Sequence, residues 1–487
     1  MMRRSDEAPT AQAPDGRTGR HRRAAVRPAD AALVLLALAL VASPLVLTSR
    51  GGAATTGTTA SLTGRSGQAR PHVTFSFRPW ISGDGRWVAF DSDSHDLVSD
   101  DISRVRNIFV YDRDNRTVEL VSKAPGGRPA DGDSQRPTVS GDGRYVAYWS
   151  AADNLVDGDT NRVTDCFVTD RQTHRTVRVD VGADDVQANG ACARPVISGD
   201  GRLVAFESSA TNLGGTSVVP KPLDRNRTAG RNIFVRDVVA GTTTCVSLAD
   251  DGTPGTALPN GRTGESVRPS ISADGRWIAF QSNAALDPDD KNGKTDVYVR
   301  DMAGHGTNRI SVGPGGVDGD GGSYSPSVSA DGRYVAYWSN ASNLVAGDTN
   351  RTADIFLFDR RDGSTVRISV SDRGVQGDGL SSDPSISPDG RYVTFWSAAD
   401  NLVAGDTNGK RDIFLADRAH GTLMRVSVAD DGTQGDGDSY SPSVSGGGGV
   451  VAFDSVARTL VPDDRKVKGS DVFLHWDGAP PGGSPAP

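Results

Sequence analysis

Val328–Ser339 reads VSADGRYVAYWS, and near-copies of this stretch recur along the chain. Asp331-Gly332 suits a tight turn, because glycine accepts positive φ and aspartate bonds its neighbouring backbone. The residues on either side read as short strands. The phrase returns as ISGDGRWVAF (Ile81–Phe90), VSGDGRYVAY (Val139–Tyr148), ISGDGRLVAF (Ile197–Phe206), ISADGRWIAF (Ile271–Phe280) and ISPDGRYVTF (Ile386–Phe395). A seventh copy, VSGGGGVVAF (Val444–Phe453), has lost its turn residues. The Asp-Gly pairs begin at 84, 142, 200, 274, 331 and 389, a period of about 58 residues with one longer interval. Self-similarity at a fixed period is the mark of a repeat array.

Each repeat resolves into four strand-like pieces. In the fifth they are Ser327–Ser329, Arg333–Ser339, Asp354–Asp359 and Thr365–Val370. The second and third are apolar on both faces, as strands between packed sheets must be. The fourth alternates, which marks a half-buried edge. Four antiparallel strands repeated seven times predict an all-β chain, a seven-bladed β-propeller of four-stranded antiparallel blades. The Ser-x-Asp-Gly-Arg-x-Val-Ala-Phe phrase resembles the WD40-like repeats of TolB-type propellers, over roughly residues 78–477. That resemblance implies the propeller fold. It carries no catalytic residue across.

The last repeat ends its third strand at Asp471–Asp477, and a Pro/Gly-rich tail, Gly478–Pro487, follows. Its fourth strand is therefore expected from the N-terminal side. Thr59–Thr63 fits the repeat register; His72–Phe77 (HVTFSF) has the better strand propensity and is preferred on that ground. The expected organisation is an Arg-rich segment 1–30, an apolar run 31–48, a linker 49–71, the propeller 72–477 and the tail 478–487. A basic flank before an apolar run reads as an export signal or as a transmembrane anchor. Either places the repeats outside the cytoplasm, secreted or membrane-anchored through 31–48.

Residues 1–50 carry eight Arg and four acidic residues, so the remainder is distinctly acidic within a net charge of −8. An acidic body argues against nucleic acid as partner, since phosphate binding needs clustered Lys and Arg. The three cysteines, Cys166, Cys192 and Cys245, allow at most one internal disulfide.

Strand order assigns the loops to two faces. The Asp-Gly turns and the third-to-fourth turns share a plain face. The second-to-third loops and the links between repeats share the other. Repeat 3 lengthens both segments on that second face, at Ser208–Arg231 and Ala249–Val267, which makes that face, near repeats 3 and 4, the expected binding surface.

The second-to-third loops repeat Asp-x-Asn-x-x-x-Asp, as Asp159/Asn161/Asp165, Asp290/Asn292/Asp296, Asp348/Asn350/Asp354 and Asp406/Asn408/Asp412, with a truncated Asp224/Asn226. Oxygens at alternate positions of a turning loop resemble the opening of a calcium site. Asp and Asn also stabilise turns by bonding their own backbone. Both readings stand for these loops. The Asp after each third strand (Asp112, Asp170, Asp237, Asp301, Asp359, Asp417) recurs around the array and reads as a folding element, as do Trp149, Trp338 and Trp396.

No GxSxG elbow, HExxH or Walker A motif occurs. Propellers of this type precede a hydrolase domain in prolyl-oligopeptidase-like peptidases; the last repeat ends ten residues before the C-terminus, so none is expected here. The sequence predicts a non-catalytic, monomeric scaffold binding a protein, peptide or cell-envelope component. A metal-dependent, lactonase-like propeller enzyme and a purely structural extracellular module are the alternatives.

Overall fold

The computed structural model describes residues 57–63, 74–99, 101, 103–214, 230–253, 255, 264–462, 464 and 469–476. The segments 1–30 and 31–48, the tail and the Asp224/Asn226 loop lie outside them, as do parts of both repeat 3 insertions. All described residues belong to one compact unit, Ala54–Pro487. Among them the regular structure is β-strand, apart from three short 3₁₀ turns.

Repeats 2 to 6 each form a four-stranded antiparallel sheet in which neighbours in sequence are neighbours in space. In repeat 5 the strands are Ser323–Val328, Tyr334–Ser339, Asp354–Asp359 and Ser364–Arg367. The first strands touch one another in the order of the repeats, and that of repeat 7 (Ser439–Val444) touches that of repeat 1 (Thr74–Ile81). The sheets thus close on themselves around an axis lined by first strands, the arrangement of a β-propeller. The core is divided among the joints. One apolar cluster joins Val110 and Ile108 of repeat 1 to Val146, Tyr148 and Phe167 of repeat 2, and similar clusters fill the later joints.

The repeated phrase explains its own recurrence. In repeat 2, Ser140 Oγ donates to Asp142 (2.7 Å), which accepts from the Arg144 amide (3.0 Å). Gly143 has φ +76°, and a Cβ there would lie 1.9 Å from Trp87 Cδ1 of the preceding repeat. Arg144 then grips Asp170 through two nitrogens, at 3.0 and 2.7 Å. The same fork joins Arg86 to Asp112, Arg276 to Asp301, Arg333 to Asp359 and Arg391 to Asp417. Hydrogen bonds from these guanidiniums hold the carboxyls of Asp112 and Asp170 down at about 2. The turns also bond each other around the axis: Gly141 N to Gly199 O, Gly199 N to Ala273 O, Ala273 N to Ala330 O, Ala330 N to Pro388 O, and Gly446 N to Gly83 O, all 2.9–3.0 Å.

The closing strand differs from the expectation. Thr58–Ser61, not His72–Phe77, pairs antiparallel with the third strand of repeat 7, Gly469–Trp476. Register outweighs propensity here because hydroxyls carry the joint. In repeat 4, Thr307 Oγ1 donates to Leu248 O (2.6 Å) and Ser311 Oγ to Asp296 (2.6 Å). Thr59 Oγ1 donates to Val428 O (2.6 Å) and Thr63 Oγ1 to Asp471 (2.7 Å), at the same four-residue spacing. Of the HVTFSF stretch, His72 and Val73 lie outside the described residues; Thr74–Phe77 instead start repeat 1's first strand, whose first two residues run parallel to Gly469 and Ser470.

Cys166 in the third strand of repeat 2 is bridged to Cys192 in the first strand of repeat 3. Cys245 is free and buried in the same cluster, and burial pushes its thiol up to about 11.

Candidate functional site

The Asp-x-Asn-x-x-x-Asp loops bring their predicted residues together, around an arginine. In repeat 6, Arg425 from the fourth strand lies 2.8 Å from Asp406 and 3.5 Å from Asp412. Asn408 donates to Asp412 (2.8 Å) and to Gly435 O in the next link (3.1 Å). Repeat 5 repeats this with Arg367 on Asp348 (3.1 Å) and Asp354 (3.4 Å), and Asn350 on Asp354 (2.8 Å). Repeat 2 uses Arg178 on Asp159 (2.9 Å) and Asp165 (3.8 Å), with Asn161 on Asp165 (2.8 Å). In repeat 4, Arg309 meets Asp290 (3.3 Å), Asp287 (3.3 Å) and Asp318 (2.7 Å), while Asn292 holds Asp296 (2.9 Å). In repeats 2, 5 and 6 the positive charge between the two acids is a guanidinium. No group of three or more His, Cys, Asp or Glu suited to a metal occurs among the described residues. Burial raises Asp159 and Asp296 to about 6.

These arginines set up an expected result. Arg425→Ala strands two buried carboxylates and costs about 3–5 kcal/mol in denaturant unfolding, whereas a chelator leaves the wild-type midpoint where it was. A calcium-dependent shift of that midpoint contradicts this reading.

A different constellation lies on the axis, and no motif above pointed to it. Each first strand carries a proline three residues before the phrase serine: Pro79, Pro137, Pro195, Pro269, Pro326, Pro384 and Pro442. Proline cannot donate to a ladder and belongs on an edge strand or a bulge. Both conditions hold, since each first strand is the axial edge of its sheet and shifts register at this point. The residue before each proline is left-handed, with φ between +48° and +56°. These seven residues are Arg78, Arg136, Arg194, Arg268, Ser325, Asp383 and Ser441, and they line one cavity of about 250 Å³. They sit toward the starts of the first strands, the end fed by the inter-repeat links, with the Asp-Gly turns at the other end.

Left-handed backbone at a non-glycine residue costs of order 1–3 kcal/mol and needs support. The support comes from second strands. Asp454 accepts the Arg78 amide (3.1 Å), Asp91 that of Arg136 (3.2 Å), Glu207 that of Arg268 (2.9 Å) and Gln281 that of Ser325 (2.8 Å). Asp91 and Glu207 are fully buried and each serves two guanidiniums, Arg78 (3.6 Å) with Arg106 (3.4 Å), and Arg194 (3.4 Å) with Arg231 (2.8 Å). Arg268 reaches Ser325 Oγ (2.7 Å) and Asp383 (3.4 Å). Burial and the neighbouring arginines lower Arg136 to about 9 and Arg194 to about 10. Beyond this ring the axis is aliphatic, with Ile81, Val139, Ile197, Val328, Ile386 and Val444.

Neither a family model nor a curated protein matches the chain. Among solved structures it is similar to TolB from Acinetobacter baumannii, at 15% identity and a TM-score of 0.38, covering 71% of this chain and 64% of that one. It is similar to a putative TolB from Agrobacterium tumefaciens, at 15% identity and a TM-score of 0.37, covering 65% of this chain and 87% of that one. It is also similar to the Pyrococcus horikoshii acylaminoacyl peptidase, at 11% identity and a TM-score of 0.47, covering 83% of this chain and 51% of the peptidase.

Proposed function

We propose that the chain is a seven-bladed, TolB-like propeller that is exported and works outside the cytoplasm as a binding scaffold for a protein, peptide or cell-envelope component. Its working face is the one fed by the inter-repeat links, where the axial channel opens. One observation carries the reading. The plain face keeps its turn residues nearly identical through repeats 1–6, while the ring at the channel mouth abandons that symmetry within the same repeats, with arginines in repeats 1–4 and Ser, Asp and Ser in repeats 5–7. Folding needs only the repeated residues; a site for one partner needs the asymmetry. The ring supplies hydrogen-bond donors. A lactonase-like metal centre calls for converging acids and histidines, and the seven positions hold one aspartate and no histidine. The Cys166–Cys192 bridge suits an oxidising compartment outside the cytoplasm.

The test is retention of a component of an envelope extract on the immobilised protein. Trp80 lines the same cavity as Arg268, and His174 and His305 lie in third-to-fourth turns on the plain face; Trp80→Ala/Arg268→Ala abolishes retention, and His174→Ala/His305→Ala leaves it intact. Loss of retention through the plain-face pair overturns the choice of face.

A further inference from the structure

The channel mouth has donors with nothing to donate to. Four of its charged lining residues are arginines and one is an aspartate. Three of the arginines have partners: Arg78 and Arg194 share buried acids with second arginines, and Arg268 takes Ser325 and Asp383. Among the described residues the Arg136 guanidinium has no carboxylate within ion-pairing distance and no hydrogen-bond acceptor.

A second observation comes from the tryptophans. Trp338 Nε1 donates to Ser325 Oγ (3.2 Å) and Trp396 Nε1 to Asp383 Oδ2 (3.2 Å), each to the ring residue of its own repeat. Trp149 holds the same place in repeat 2, paired with Gln135 next to the ring residue as Trp338 is with Tyr324. There the ring residue is Arg136, itself a donor. The buried Trp149 indole N–H accordingly has no acceptor among the described residues. An unmade bond at a buried donor costs roughly 1–3 kcal/mol. The indole N–H lies behind the ring, outside the residues that line the cavity, so the group a ligand oxygen reaches there is the Arg136 guanidinium.

We propose that the channel mouth of repeats 1–3 binds an oxyanion, a carboxylate or phosphate group, held by Arg136 with Arg78 and Arg194 flanking it. This rests on the link-end face being the working face. It adds the chemistry of what enters: the anionic end of a ligand small enough for a cavity of about 250 Å³. Planar guanidiniums suit both groups, because two parallel N–H donors match two oxygens. An anion offsets the mutual repulsion of Arg136 and Arg194 within the ring, so binding also stabilises the fold.

Titration of the purified protein with inorganic phosphate and with succinate, at constant ionic strength set by chloride, tests this through tryptophan fluorescence and the unfolding midpoint. Saturable binding of one of them and a raised midpoint are expected; which anion saturates at lower concentration tells a phosphate ligand from a carboxylate one. Arg136→Ala weakens binding at least about tenfold, the equivalent of about 1.4 kcal/mol. Removing Arg136 relieves like-charge repulsion, so this variant folds. No saturable binding by either anion, or equal binding by wild type and Arg136→Ala, overturns the proposal. If neither anion binds yet the Trp80/Arg268 pair still abolishes partner retention, the scaffold reading survives alone. If an anion saturates the site and no macromolecule is retained, the site stands and the scaffold reading falls.

Discussion

A chain lacking residues 55–63 is expected to lose its single cooperative unfolding transition. The deletion removes the strand Thr58–Ser61 and with it the Thr59 amide bond to Asp430 (2.7 Å), the Thr59 hydroxyl bond to Val428 O and the Thr63 bond to Asp471. It also bares one edge of Gly469–Trp476, whose six inner residues are otherwise buried, and an uncovered edge strand recruits other chains. The loss exceeds about 4 kcal/mol, the level at which a whole structural element is implicated. Thr63→Val is the milder probe. It leaves the strand in place and removes the hydroxyl's bonds to buried Asp471 Oδ1 and to the Val472 amide, for about 1–3 kcal/mol. Circular dichroism during denaturant unfolding, with size-exclusion chromatography, reads both. An unchanged transition in the deletion refutes the closure.

Asp180→Ser should make the protein more stable at neutral pH. The equivalent position is Ser122, Ser247, Ser311, Ser369 or Ser427 in repeats 1 and 3–6, each donating to the first residue of its third strand. Repeat 2 puts a carboxylate there, fully buried beside Asp165, which is fully buried too. Burial first, and the Asp165 carboxylate second, raise Asp180 well above the ordinary carboxyl range. A group with a raised folded pKa holds a proton that the unfolded chain releases. Its stabilising effect is therefore complete below the unfolded value, about 3.9, and is lost as pH rises through the folded one. Serine carries no such charge and supplies a donor for Asp165 Oδ2, the oxygen that Asn161 leaves unbonded. The variant gains roughly 1–4 kcal/mol at pH 8, the range seen when buried charges are replaced, and the gain shrinks toward pH 4. Denaturant unfolding at several pH values measures it. A variant weaker than wild type at pH 8, or with the same pH profile, refutes the assignment.

The two positions show how the sequence carries information. The turn phrase was legible because most of it acts locally and all of it recurs. Ser and Asp shape the turn and Gly takes the positive φ, while Arg reaches farther, to an Asp 26 residues on at the end of the third strand in repeats 1 and 2. The closing strand was legible in one way and obscured in another. Thr59 and Thr63 keep the spacing of Thr307 and Ser311, a signal of hydroxyl-bonded joints, yet TTAS has little apolar character and HVTFSF has much. Propensity misleads where a strand is held by side-chain oxygens at its edges. The calcium-like loops were visible as acids and asparagines, but their arginine stands thirteen residues beyond the last acid, on another strand. Only folding shows that it returns to them. The arginine ring was in plain sight, since a proline precedes every phrase serine by three residues. What the sequence hides is the convergence of four distant arginines, 58 to 190 residues apart, on one cavity.

The bridge between repeats 2 and 3 sets an order of events in oxidative folding. Cys166, Cys192 and Cys245 all end in one apolar cluster, so three pairings compete while that cluster assembles and only one is native. Once it has packed, Cys245 lies buried beyond the reach of an oxidant or an isomerase. Oxidation must be settled while the first strand of repeat 3 still swings free of repeat 2. The bond then closes a loop of 26 residues, an entropic gain of about 3.5 kcal/mol in the chain-entropy picture. The second and third repeats enter ring assembly as a ready-made pair, a template on which the remaining sheets can dock in turn.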